Sequence, residues 1–106
     1  MIARLWTART TPALSYSYLQ HFESAVRPEL RKIDGFVGAT VGVRSSSGAA
    51  EILVTTFWHS FEAIDTFAGV DREQAVVASE AAALLTDYDK RVRHYEIVLA
   101  QFPPRL

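Results

Sequence analysis

An α+β fold is what this sequence predicts, and three observations carry the prediction. The stretch Thr56 to Gly69, TFWHSFEAIDTFAG, is a β-branched and aromatic run ending in Trp58 that hands over to a helix opened by Ser60. Phe61, Ile64 and Phe67 recur three apart behind that N-cap residue, so the helix is amphipathic and its buried stripe is aromatic. Upstream, Leu14, Tyr18, Phe22, Val26, Leu30 and Ile33 form a longer apolar stripe at helical spacing, flanked on both sides by strand-like segments.

Each element follows in order. Residues 2–9 alternate loosely and carry Ile2, Leu5 and Trp6, which suits a first strand. Thr10, Thr11 and Pro12 open the first helix, with Pro12 near its first position, where a missing N–H costs nothing. Pro28 removes the bond to the Ser24 carbonyl and should bend or restart that helix. Asp34-Gly35 punctuates, and Phe36 to Arg44 reads as a second strand. Ser45 to Gly48 is a turn, and residues 49–58 form a third strand, so the two make a hairpin. Gly69 stops the aromatic helix. Asp71 with Gln74 resembles a capping box and predicts an Ala-rich helix to about Leu85. Residues 91–99 read as a last strand, and the tail FPPRL, with Pro103 and Pro104, cannot extend a ladder far. A strand–helix–strand unit used twice is the ferredoxin-like βαββαβ arrangement with an antiparallel sheet.

Composition bounds the function. A chain of 106 residues, nearly half of them apolar and 22% charged, is expected to be one globular domain over 1–106, its core about 1–100 and its tail 101–106. A formal charge of −1 gives no basic footprint for nucleic acid and no polybasic patch for a membrane surface. The absence of cysteine excludes disulfides, thiolate chemistry, iron–sulfur clusters and Cys-based zinc sites. With neither a signal-type hydrophobic segment nor a run approaching membrane-spanning length, the expected location is cytoplasmic.

The strand faces add a partner. In the third strand Ile52, Val54 and Trp58 share one face, and Leu53 and Phe57 the other. In the second, Val37, Ala39, Val41 and Val43 share a face. Two helices cover only one side of a four-stranded sheet, so a sheet apolar on both sides predicts a homodimer packed sheet against sheet.

The segments MIARLW, the helix with its late proline before Asp34-Gly35-Phe36, the W-x-S-x-E-A-I-x-x-F run from Trp58 to Phe67, and HYEIV from His94 to Val98 together resemble the antibiotic biosynthesis monooxygenase family over about residues 1–100. The resemblance implies a dimeric α+β barrel with a pocket between sheet and helices in each subunit. Characterised members of that family include cofactor-free oxygenases that turn polycyclic phenols into quinones and haem-degrading enzymes, and others have no known reaction. The haem-degrading branch looks for Asn on the first strand, Trp on the helix after strand three and His ten residues further on. The corresponding positions here are Trp6, Phe67 and Val77, which all depart from that pattern and argue against haem.

Within the resemblance, individual residues take candidate roles. Trp6, Trp58 and Phe67 are the expected walls of an aromatic slot, with plain core packing as the alternative for each. His21 lies one turn after Tyr18, and an imidazole suits the removal of a phenolic proton, the first requirement of cofactor-free oxygenation. A half-exposed histidine on a helix face is the plainer reading. Tyr18 is placed to hydrogen-bond the substrate oxygen. Arg4 shares the Trp6 face and either holds a phenolate or pairs with Glu51 or Glu96 across the sheet. His59 is read as a strand-end residue and His94 as a candidate dimer contact. Histidine spacing supports no metal site. No cofactor is expected. The sequence thus points to a cofactor-independent monooxygenase acting on an aromatic, phenolic small molecule, or to a non-catalytic dimer that binds a hydrophobic one.

Overall fold

The computed structural model describes residues 1–102, so the expectation for Pro103 and Pro104 lies outside the described residues. Strands β1 (Ile2–Thr10), β2 (Phe36–Ser46) and β3 (Ala49–Trp58) form the body of an antiparallel sheet. Two short strands, β4 (Asp87–Tyr88) and β5 (Arg93–Glu96), share the remaining edge of β1, giving the order β2-β3-β1 followed by β4 and β5. This is the expected α+β, ferredoxin-like order, with the last strand shortened from residues 91–99 to Arg93–Glu96 and the two-residue β4 added where only a break was expected. The β2–β3 turn narrows to Ser47 and Gly48, both at positive φ (50° and 77°), as a two-residue hairpin requires.

The first helical segment has three parts: α1 (Pro12–His21), a π-helical turn (Phe22–Val26) and α2 (Arg27–Arg31). Thr11 caps it, accepting the Leu14 N–H at 3.2 Å. The apolar residues from Tyr18 to Leu30 recur every four positions, whereas an α-helix turns every 3.6 residues or so, and such a row drifts by about 40° per step. The wider π turn absorbs that drift and keeps Phe22 and Leu30 buried. Leu14, at the start of the row, is left exposed. Pro28 restarts the helix as expected, in the first turn of α2.

Helix α3 (Phe61–Ala68) is capped by the Ser60 hydroxyl on Ala63 N–H at 3.2 Å. It ends at Gly69, where φ is 87° and the N–H reaches Asp65 O at 2.8 Å. Its Ala63 Cβ lies where a side chain on Gly35 would be, 2.6 Å from the Cβ such a residue would carry, so glycine is required there for both φ (94°) and contact.

Two expectations are corrected. Residues 71–85 do not form one helix; only α4 (Ser79–Ala82) is helical. The Asp71 carboxylate accepts the N–H of Glu73 at 3.2 Å, closing a turn where a capping box would have bonded three residues on. The chain then runs extended, with Ala75 N–H on Lys90 O at 2.9 Å and Val92 N–H on Glu73 O at 2.8 Å. These tertiary backbone bonds, with β-branched Val76 and Val77, outweigh the local helix preference of the alanines. The second correction is to strand β2. A bulge between Phe36 and Gly38 leaves Val37 without a register partner and sets Phe36 opposite Trp58 and Ala39 opposite Thr56, so Phe36 joins the face of Ala39 and regular alternation begins only at Gly38.

The core lies between the helices and one sheet face, around Trp58, Leu30, Ile52 and Ile64, all essentially inaccessible. No described helix is long and apolar enough to cross a membrane.

Candidate functional site

Alternation along β1 and β3 turns Arg4, Trp6, Val54 and Thr56 toward the helices, and the antiparallel register sets Arg4 opposite Thr56 and Trp6 opposite Val54. Above them lie Tyr18 and His21 of α1, Phe22 and Val26 of the π turn, and Phe67 of α3. The Val76–Ala81 segment closes the remaining side. Together these residues line a partly open cavity of about 70 Å³.

One end of the cavity is polar on the α1 side. His21 Nε2 is buried and has no hydrogen-bond partner among the described residues. The Tyr18 ring lies 6.3 Å from the His21 ring and 6.0 Å from Trp6. Tyr18 is buried, and burial alone pushes its phenol well above the usual range, so it stays protonated and acts as a donor. Trp6 is pinned by its indole N–H on Asp89 O at 2.8 Å.

At the β1 end, Arg4 is only 4% exposed. Burial lowers its pKa to about 10, which leaves it cationic at neutral pH. It pairs with neither Glu51, which bonds Arg44, nor Glu96, which lies opposite Ile2 in the sheet. Its guanidinium donates to the Arg72 carbonyl, to the Gln74 carbonyl at 2.8 Å and to His94 Nε2 at 3.0 Å. Because the arginine can only donate, His94 Nε2 is an acceptor and the neutral ring carries its proton on Nδ1.

The fold thus brings Arg4, Trp6, Tyr18, His21 and Phe67 to one cavity. Trp58 stands apart. Its register partner is Ile2, four positions along β1 from Trp6, which is about 13 Å of strand. It is 0% exposed, sits edge-on to Phe36 at 5.3 Å and behind Phe67 at 5.7 Å, and donates to Thr56 Oγ1 at 2.8 Å. Trp58 is a core residue. His94 serves Arg4, and His59 is exposed. Gly38 and Gly42 have open space where a side chain would project, with no ring or backbone against them. Among the described residues no cluster of His, Asp and Glu could hold a metal ion.

Thr56 and the Val76–Ala78 wall were not anticipated as lining residues. Strand alternation carried a signal for Thr56, two positions before Trp58. Nothing local signalled the wall, since its sequence reads as helix.

No protein-family model matches this sequence, and no curated protein matches it. Solved structures do. One is the monooxygenase from the gene ActVA-Orf6 of Streptomyces coelicolor, in complex with nanaomycin D, at TM-score 0.70 and 19% identity over 96% of this chain and 91% of that one. A Bacillus cereus protein classed with the antibiotic biosynthesis monooxygenases superposes at TM-score 0.67 and 19% identity over 96% and 97% of the two chains. The fold is that of the antibiotic biosynthesis monooxygenases. The Mycobacterium tuberculosis haem degrader MhuD, solved with two haems in its active site, follows at TM-score 0.60 and 20% identity over 96% and 100%.

The cavity of this chain does not fit a haem. Drug-sized ligands occupy roughly 300–1,000 Å³, several times the 70 Å³ here. Position 77, where that chemistry would seek an imidazole, is a valine in the cavity wall. A second, open concavity of about 590 Å³ lies between the first helical segment and β2, with Phe22 and Leu30 lining both spaces.

Proposed function

We propose that this protein is a cofactor-independent oxidoreductase of the monooxygenase type, acting on a phenolic or related aromatic small molecule. The observation that carries the reading is the buried His21 Nε2, unpartnered among the described residues, beside Tyr18 and Trp6 in a mostly apolar cavity that also holds Arg4 and Thr56. A buried polar atom without a partner costs about 1–3 kcal/mol, so a ligand hydroxyl that satisfies it is strongly favoured. Similarity of fold to monooxygenases adds support but does not by itself assign a reaction.

In this reading His21 Nε2 takes the phenolic proton, and the phenolate reduces dioxygen. The protonated Tyr18 hydroxyl donates to the substrate oxygen. Trp6 and Phe67 hold the ring, and the Arg4 charge favours the anion across the cavity, its fork being occupied by backbone. One oxygen atom enters the product and the other leaves as water with two hydrogens from the substrate, so a phenol becomes a quinone with no outside reductant. At about 70 Å³ the cavity is under half the roughly 150 Å³ of an engineered cavity that admits benzene. A phenol therefore enters with displacement of the Val76–Ala81 wall, and a single ring is favoured over a polycyclic one.

The same small volume favours a second reading, a non-catalytic binder of a small hydrophobic molecule. Both readings include a homodimer formed by the outer sheet face, where Leu53 and Tyr95 are exposed and Gly38 and Gly42 leave room for close approach. Oxygen uptake in chelator-treated buffer, with phenols of one to three rings, tests the reaction. Saturable uptake lost in His21→Ala and Trp6→Ala supports it. Ligand binding without uptake selects the binder. Uptake unchanged in both variants rejects this site.

A further inference from the structure

The Arg4 side chain has a use that the reaction leaves unexplained. It crosses from the centre of the sheet to hold two carbonyls of one loop, those of Arg72 and Gln74, immediately before the Val76–Ala78 wall. Between this clamp and α4, the backbone anchor of the wall is the isolated bridge of Gln74 with Arg91, made by Ala75 N–H on Lys90 O and Val92 N–H on Glu73 O. Among the described residues, Arg4 is thus the one side chain that ties the central strand to this loop, beside the surface pairs of Arg91 with Asp71 and Glu73.

We propose that Arg4 is a positioning residue that holds the cavity wall closed, and that protonation of His94 releases it. His94 Nε2 accepts an Arg4 N–H at 3.0 Å and can do so only while it is unprotonated. An imidazolium there has no lone pair for the arginine and sets two cations side by side. The groups facing His94 are Arg4 from β1, Arg72 and Glu73 from the loop, and Asp65 with the edge of Phe61 from α3. Arg72 is itself held by Asp65 in a two-pronged pair at 2.8 and 2.9 Å and lies 4.5 Å over the Phe61 ring. Glu73 and Asp65 favour the cation, but burial and then the Arg4 charge oppose it, and the balance lowers the His94 pKa from its ordinary 6.5. The folded clamp is thus fully stabilised above that ordinary value. It weakens as pH falls through the lowered one, because the unfolded or released state binds the proton more readily. The cavity would open once acidification protonates His94 and stay shut while the ring is neutral.

Amide hydrogen exchange of Ala75 and Val92, corrected for intrinsic rates, tests this at pH 7.5 and pH 5.0. Protection of both amides should drop at least about tenfold on acidification, while the β1–β3 ladder around Thr7 and Leu53 keeps its protection. His94→Gln, whose carbonyl accepts the same bond without titrating, should abolish the pH dependence. Arg4→Lys, which lacks the fork, should exchange rapidly at both pH values. Equal protection at both pH values in the parent protein, with nitrogen NMR showing the His94 imidazolium at the lower one, or the same drop in His94→Gln, would overturn the proposal. If a variant does not fold, nitrogen NMR of His94 in the parent protein decides: an Nδ1–H tautomer at pH 7.5 supports the clamp, and an Nε2–H tautomer refutes it. The measurement needs no substrate, so its failure and the failure of the oxygenase reading are separate results.

Discussion

At the scale of single residues, two buried polar side chains of the cavity are held differently. Arg4 is fully engaged, whereas the Tyr18 phenol is buried with no hydrogen bond offsetting the rise in its pKa. A hydroxyl that makes no hydrogen bond inside the protein contributes little to stability, so its removal in an isosteric variant is nearly neutral. Tyr18→Phe should therefore leave the melting temperature within a few degrees of the parent, equivalent to no more than about 1 kcal/mol, while weakening phenol binding. A fall of several degrees in a calorimetric scan would mean the hydroxyl has a structural partner. Sequence spacing placed Tyr18 and His21 on adjoining turns and Trp6 on the helix-facing side of β1, and all three line the cavity. It could not separate Trp6 from Trp58. Both lie on one face, and only the strand register puts the second beyond reach of the cavity.

At the scale of elements, the hairpin and α3 follow from local chemistry. Positive φ at Ser47 and Gly48, the Ser60 cap and the Gly69 stop each satisfy a backbone requirement within a few residues. Ser60→Ala should cost about 1 kcal/mol through the loss of that cap, and Ser60→Asp should recover most of it. Denaturant titrations that place Ser60→Ala level with the parent would show that α3 is held by packing of Ile64 alone. The Ala-rich segment behaved differently because its bonds are not local. Its partners are Lys90, Arg91 and Arg4, the nearest of them some 15 positions away from Ala75, and no window of sequence contains them. The π turn was equally hidden as such, although the four-residue spacing that it accommodates was visible in the apolar row.

At the scale of the whole molecule, the sheet has one covered face and one that the chain leaves open. Leu53 is 41% and Tyr95 51% exposed on the open face, and Val98 and Leu99 beyond β5 are 91% and 83% exposed. The proposed homodimer would cover this face. Leu53→Asp, far from the cavity, should convert a dimer into a monomer in light scattering without loss of far-ultraviolet dichroism, and a parent protein that is itself monomeric would remove the dimer from the proposal. Periodicity, caps and turn residues by themselves determined the α+β class, the order of the main strands and helices, and which side of β1 faces the helices, because each depends on neighbours a few residues apart. Tertiary structure decided the register that removes Trp58 from the cavity, the cavity's size, the unwinding of residues 71–78 and the task of Arg4, because each depends on groups that meet only when distant parts of the chain are brought together.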